Sequence, residues 1–66
     1  MCMNSISSRE VIKKLIEDGW YEVRVNGSHH QYKHNVKKGT VTVKHPDKSI
    51  PKKTLSSISR QSGIKF

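Results

Sequence analysis

The chain has 66 residues, a formal net charge of +8 and a pI of about 10.0. That length bounds it to one domain, 1–66, with a thin core and no room for a deep pocket, so any active site is an open surface groove. No apolar run is long enough to span a bilayer, and the single cysteine, Cys2, has no internal partner for a disulfide. The cationic excess favours a polyanionic partner: nucleic acid first, an acidic protein second and an anionic membrane surface last.

Residues 1–5 read as a frayed start. Residues 1–8 lack a basic start followed by an apolar stretch, so no signal peptide is expected and a cytoplasmic location follows. Ser7-Ser8-Arg9-Glu10 then spells a capping box, with Ser7 as N-cap and Glu10 at the third helical position. Ile6 and Val11 occupy the staple positions around it. Val11, Ile12, Leu15 and Ile16 recur at helical spacing as one apolar stripe, while Lys13, Lys14 and Glu17 face water. Gly19 supplies the left-handed residue that ends the helix.

Residues 20–25 read as a strand, with Tyr21, Val23 and Val25 on one face and Glu22 and Arg24 on the other. Trp20 and Tyr21 read as core residues at the helix–strand junction, with base stacking as the other reading. Asn26-Gly27 signals a tight hairpin turn. Residues 29–34 form a second strand and 40–44 a third, with Val41 and Val43 pointing inward. His45-Pro46-Asp47 breaks the sheet. A second helix over 51–62 carries Leu55 and Ile58 inward, and Gly63 ends it, with Ile64 folding back as in a Schellman motif. The order is α-β-β-β-α. This is an α+β domain in which a three-stranded antiparallel sheet has two helices on one face and leaves the other open.

The open face should carry the function. Period two separates His29, Gln31 and Lys33 from His30, Tyr32 and His34. Tyr32 is the large apolar body of this strand, so its face is the core face and His29 lies on the open one. Histidine titrates near neutrality, so a His beside a tight turn and many cations can both approach a phosphate and move a proton. The blander reading is a surface histidine that does nothing. Lys33, Lys37, Lys38, Lys44, Lys48, Lys52 and Lys53 form a basic second half of the chain, denser than a merely solubilising surface requires. Those at the start of the second helix sit where free N–H groups also favour phosphate.

A metal site assembled from His30, His34 and Cys2 lacks the paired, closely spaced ligands of zinc centres. The acidic residues (Glu10, Glu17, Asp18, Glu22 and Asp47) are too scattered to hold a catalytic magnesium. A phosphodiesterase built on this chain would work with His and Lys and no metal or cofactor. On the residues alone three functions stand open: an RNA-cleaving enzyme, an RNA-binding module without catalysis, and a domain that docks an acidic protein.

Ser8-Arg9-Glu10-Val11-Ile12-Lys13, Gly19-Trp20, Val23-Arg24, Gly27-Ser28-His29, Val41-Thr42-Val43, Ile50-Pro51-Lys52-Lys53-Thr54-Leu55 and Arg60-Gln61-Ser62-Gly63-Ile64 together resemble the HicA family. These are bacterial toxins, mRNA interferases of type II toxin–antitoxin systems. The resemblance covers nearly the whole chain after residue 4. It implies a metal-independent endoribonuclease that cuts mRNA, a double-stranded-RNA-binding-domain-like version of the α-β-β-β-α order reached above, and a HicB-type antitoxin partner that blocks the site. The histidine of the Gly-Ser-His turn, His29, is implied to be catalytic. Gly27, Ser28, Arg24, Lys33, Lys37, Lys38, Lys52 and Lys53 are the expected RNA-binding residues. Ser59 and Ser62 depart from the larger or apolar residues usual in the family, and Lys53 replaces a common glycine.

Overall fold

The computed structural model describes residues 6–66, so the expected fraying of residues 1–5, and Cys2 with it, lies outside the described residues. The elements run α1 (Ser8–Asp18), β1 (Tyr21–Asn26), β2 (His29–Lys33), β3 (Val41–Lys44) and α2 (Lys52–Ser62). The sheet is antiparallel in the order β1-β2-β3. This is the α+β order that the hydrophobic periodicities predict.

Helix α1 begins as its sequence demands. The Ser7 hydroxyl accepts from the Glu10 N–H at 3.3 Å, and the Glu10 carboxylate reaches back to the Ser7 N–H. Two otherwise orphaned donors are thereby satisfied. The helix ends at Gly19, at φ 107°, where the Gly19 and Trp20 N–H groups cap the Ile16 and Leu15 carbonyls. Glycine is needed there twice over. A left-handed φ strains any L side chain, and a Cβ would come within 2.9 Å of the His34 ring.

Val11, Leu15, Trp20, Tyr32, Val41, Val43, Ile50 and Ile58 form the core, with Ile6, Ile12, Leu55, Ile64 and Phe66 packed around it. Ile16 was expected on the buried stripe of α1 but is 58 % exposed. Both helices pack over β3, and the stripe that meets the sheet is the narrower Val11–Leu15 line.

Strand β1 differs most from expectation. All six of its residues are exposed, Val23 and Val25 included. The reason is geometric: β1 is the sheet edge farthest from β3, so the helices do not reach over it. The alternation also breaks. Register slips between Glu22 and Arg24, leaving Val23 as a bulged residue. Residues directly opposed across strands share a face. Glu22 opposes Tyr32 and therefore lies on the helix side, whereas Arg24 opposes Gln31 and Tyr21 opposes Lys33, both on the open side.

The hairpin is offset by one residue from its sequence signal. Asn26 pairs with His29, so the two-residue loop is Gly27-Ser28. Gly27, at φ 64°, takes the first loop position, where a type II′ turn requires positive φ.

Helix α2 also ends differently. Gly63 donates to the Ser59 carbonyl in a single left-handed cap, and the Ile64 N–H goes to the Ser62 hydroxyl instead of completing a Schellman pair. The two unusual serines explain this. Ser62 is fully buried and donates to the Ile58 carbonyl, and Ser59 donates to the Ile64 carbonyl. They thin the apolar face of α2 but fasten the chain that follows it.

Lys37 closes the structure at the opposite end from the hairpin loop. Its ammonium donates to Asp18 at 2.6 Å and to the Ser62 carbonyl at 2.9 Å, joining the C-terminal ends of both helices. A cation is favoured at those dipole ends. Lys37 holds the Asp18 carboxyl below the ordinary carboxylate range, chiefly through this hydrogen bond. A depressed carboxyl pKa stabilises the fold above the unfolded group's titration range, and that contribution is lost as pH falls through the folded value. Lys37→Met is therefore expected to lower the urea midpoint at neutral pH and to shrink the further loss on acidification. Parallel decline of both proteins in acid would show that Asp18 does not carry this linkage.

Candidate nucleic-acid interface and active site

The chain has four histidines, and the structure gives them different tasks. His34 follows β2, and its Nδ1 accepts from the Val36 and Lys37 N–H groups at 3.0 and 3.1 Å. Its proton must then sit on Nε2, which donates to the Asp18 carbonyl at 2.8 Å. The ring also meets Trp20 edge-on. His34 is thus a brace for the α1–β1 turn.

His30 donates from Nδ1 to the Glu22 carboxylate at 2.8 Å and packs edge-on against His45. His45 Nδ1 and the buried Ser8 hydroxyl share a hydrogen bond of 2.7 Å, while that hydroxyl accepts from the Asp47 N–H. Tyr32 donates weakly to the same Glu22 carboxylate. Burial and the nearby Glu22 charge push the Tyr32 phenol up to about 12. This chain of polar groups runs along the helix side of the sheet and ties the start of α1 to the loop after β3, where the His45–Pro46 peptide is cis. An open cleft of about 330 Å³ beside it is lined by Arg9, Pro46 and Lys48 among others.

His29 stands apart from all of these. It is exposed at the first position of β2, and among the described residues its ring makes no hydrogen bond. Its position is nonetheless well determined. It opposes Asn26 on one side and Lys44 on the other, and the Ser28 carbonyl just before it accepts from the His45 N–H at 2.8 Å. The Gly27-Ser28 loop therefore projects the ring onto the open face from a backbone pinned on both flanks. None of the other three histidines shares that face.

The register sets out the rest of the surface in rows. His29 lies between Asn26 and Lys44; Gln31 lies between Arg24 and Thr42; Lys33 lies opposite Tyr21. Arg24, Lys33, Lys44 and His29 thus form one cationic, polar face. Arg24 reaches it only because of the bulge at Val23, since unbroken alternation would have put it with Glu22.

The other candidate residues are spread more widely. Lys38 is exposed in the β2–β3 connection, and Lys52 and Lys53 are exposed in the first turn of α2, on the helix side of the sheet. Lys37 is engaged by Asp18 and Ser62. Lys44, directly across from His29, emerges only from the register, because sequence distance gives no hint that the two are adjacent. Tyr21 was expected in the core and is instead 45 % exposed on the open face. Among the described residues no three His, Cys, Asp or Glu side chains are grouped so as to hold a metal ion. None of the described helices is long and apolar enough to cross a membrane.

A family model described as the HicA toxin of bacterial toxin-antitoxin matches residues 8–64, from the first residue of α1 to the chain beyond α2. Comparison with curated proteins gives no match. The family model spans every element that builds the cationic sheet face, and the chain belongs to the HicA toxin family, whose members pair with an antitoxin.

Proposed function

We propose that this toxin is a metal-independent endoribonuclease that cuts mRNA in the cytoplasm, halting translation and growth, with His29 as its catalytic residue. The observation that carries this reading is the placement of His29, the one histidine whose ring makes no hydrogen bond among the described residues, on the open face directly opposite Lys44 and in the same sheet surface as Arg24 and Lys33.

The chemistry needs little machinery. His29 takes the proton of a ribose 2′-hydroxyl, the 2′-oxygen attacks the adjacent phosphorus, and the bond to the 5′-oxygen breaks as that oxygen takes up a proton from water. The products are a 2′,3′-cyclic phosphate and a 5′-hydroxyl. Fixed cations beside the phosphorus stabilise the charge that gathers on its oxygens as the bond order changes. The pairing of Lys44 with His29 across the strands supports that role for it. Arg24 and Lys33 hold the flanking backbone, the Gly27-Ser28 loop borders the site, and Lys38, Lys52 and Lys53 extend the positive field, whereas the charge of Lys37 is taken up by Asp18. The antitoxin is of the HicB type, and its inhibitory contact covers His29 and this cationic face with an acidic surface.

The test is cleavage of end-labelled single-stranded RNA by the purified protein in EDTA. The expected result is cutting that persists in the chelator and leaves cyclic-phosphate ends. It disappears when the substrate carries 2′-O-methyl ribose. Cutting that requires added divalent ions, or that leaves 5′-phosphate ends, overturns the mechanism. RNA binding in low salt without cutting moves the protein to a non-catalytic RNA-binding module.

A further inference from the structure

We propose that Tyr21 and Lys33 form a subsite for an unpaired base, so that the RNA taken by this sheet face is single-stranded and runs from His29 along β2. The inference rests on reading that face as the RNA surface and deepens it by naming the form of RNA and a second point of contact.

Tyr21 and Lys33 are directly opposed and lie on the same face as His29. Tyr21 is 45 % exposed, while its neighbour Trp20 is buried in the core. The phenol ring is therefore accessible to a ligand, while its backbone is fixed by the buried residue before it and by the strand pairing. Its neighbour across the strand is an ammonium that can hold the phosphate of whichever nucleotide stacks on the ring. Four residue steps separate Lys33 from His29, about 13 Å along the strand. The path between them is paved by Arg24, Gln31 and Thr42. These are polar side chains that can meet a ribose or a base edge. A base stacked on Tyr21 thus lies a few nucleotides from the phosphate beside His29.

Duplex RNA does not suit this surface. Its bases are already stacked within the helix, and proteins meet it through phosphates and 2′-hydroxyls across a shallow groove. An exposed aromatic ring on an open sheet gains nothing from such a ligand. It gains a stacking partner only from a base that is unpaired, and base–aromatic stacking tolerates any base.

The experiment uses a 2′-O-methyl oligonucleotide, which lacks the attacking hydroxyl and survives the assay. It carries 2-aminopurine as the reporter base, whose fluorescence is quenched on stacking. Binding at fixed low salt is compared for the wild type, Tyr21→Phe and Tyr21→Ala. Tyr21→Phe keeps the ring and should bind as the wild type does. Tyr21→Ala should bind the single strand at least about five-fold more weakly and lose the quench, while its affinity for the corresponding duplex stays at the wild-type value. Equal single-strand affinity for wild type and Tyr21→Ala removes the subsite and leaves the ribonuclease reading standing. Equal weakening towards single strand and duplex shows that Tyr21 acts on the fold or on general binding, and also removes it. A wild type that binds no RNA removes the underlying reading and the subsite together.

Discussion

His29→Ala is expected to lose RNA cleavage by about 10²–10⁴-fold, the usual worth of a positioned general acid or base, while keeping its fold and most of its RNA affinity. All three parts of that expectation follow from the site. The His29 ring makes no hydrogen bond among the described residues and lies outside the core, so its removal leaves no buried group without a partner. Surface changes of that kind typically move stability by less than about 0.5 kcal/mol. Affinity survives because it comes from neutralised phosphates, and the lysines that neutralise them are untouched. The matched controls are His30→Ala and His45→Ala. Each removes a partner of Glu22 or Ser8 on the helix side, so each should shift the thermal midpoint more than His29→Ala does and alter the cleavage rate per folded molecule less. Cleavage rates and circular dichroism on the three variants separate the cases. Normal cutting by a folded His29→Ala protein removes His29 from the chemistry.

Local rules were enough for the parts of this molecule that are locally determined. The Ser7–Glu10 capping box, the Gly19 terminus, the alternation of Val41 and Val43 and the order of elements all rest on short-range stereochemistry, and all are present. Expectation and structure part where long-range geometry decides. Strand β1 looks half-buried by its alternation, but the helices sit over β3, so Val23 and Val25 stay exposed. The bulge at Val23 cannot be read from composition, and it is what moves Arg24 to the His29 face and Glu22 away from it. The Asn-Gly dipeptide marked a turn correctly, but pairing of Asn26 with His29 moved the loop on by one residue. His29 was placed on the open face because the buried Tyr32 sets the phase of β2. Lys44 as its neighbour needed the strand register, and Lys37 looked like one lysine among many until the helix ends converged on it.

Trp20→Ala is expected to leave the protein largely unfolded at room temperature. Trp20 is the largest side chain in the core and is 2 % exposed. It fills the corner where α1 turns into β1, with its indole N–H donating to the Asp18 carboxylate at 3.2 Å and its ring against the His34 edge. Truncating a buried Trp costs about 3–5 kcal/mol. A domain of this length holds on the order of 3–10 kcal/mol in total, so the direct loss alone takes from about a third to all of it. The damage also spreads. Asp18 is the common partner of Trp20, His34 and Lys37, and Lys37 in turn holds the end of α2. Loosening that corner therefore releases the braces on both helices. Trp20→Phe refills much of the volume without the N–H, and should fold with a urea midpoint between those of the wild type and Trp20→Ala. Far-ultraviolet circular dichroism during urea titration is the suitable probe, because the substitution removes the chain's only tryptophan fluorophore. The same measurement decides how RNA-cleavage losses are read. A variant that cuts poorly because it is unfolded shows a lower midpoint, whereas His29→Ala should show none. Retention of a near-native midpoint in Trp20→Ala would mean that the α1–β1 corner carries far less of the stability than its burial implies.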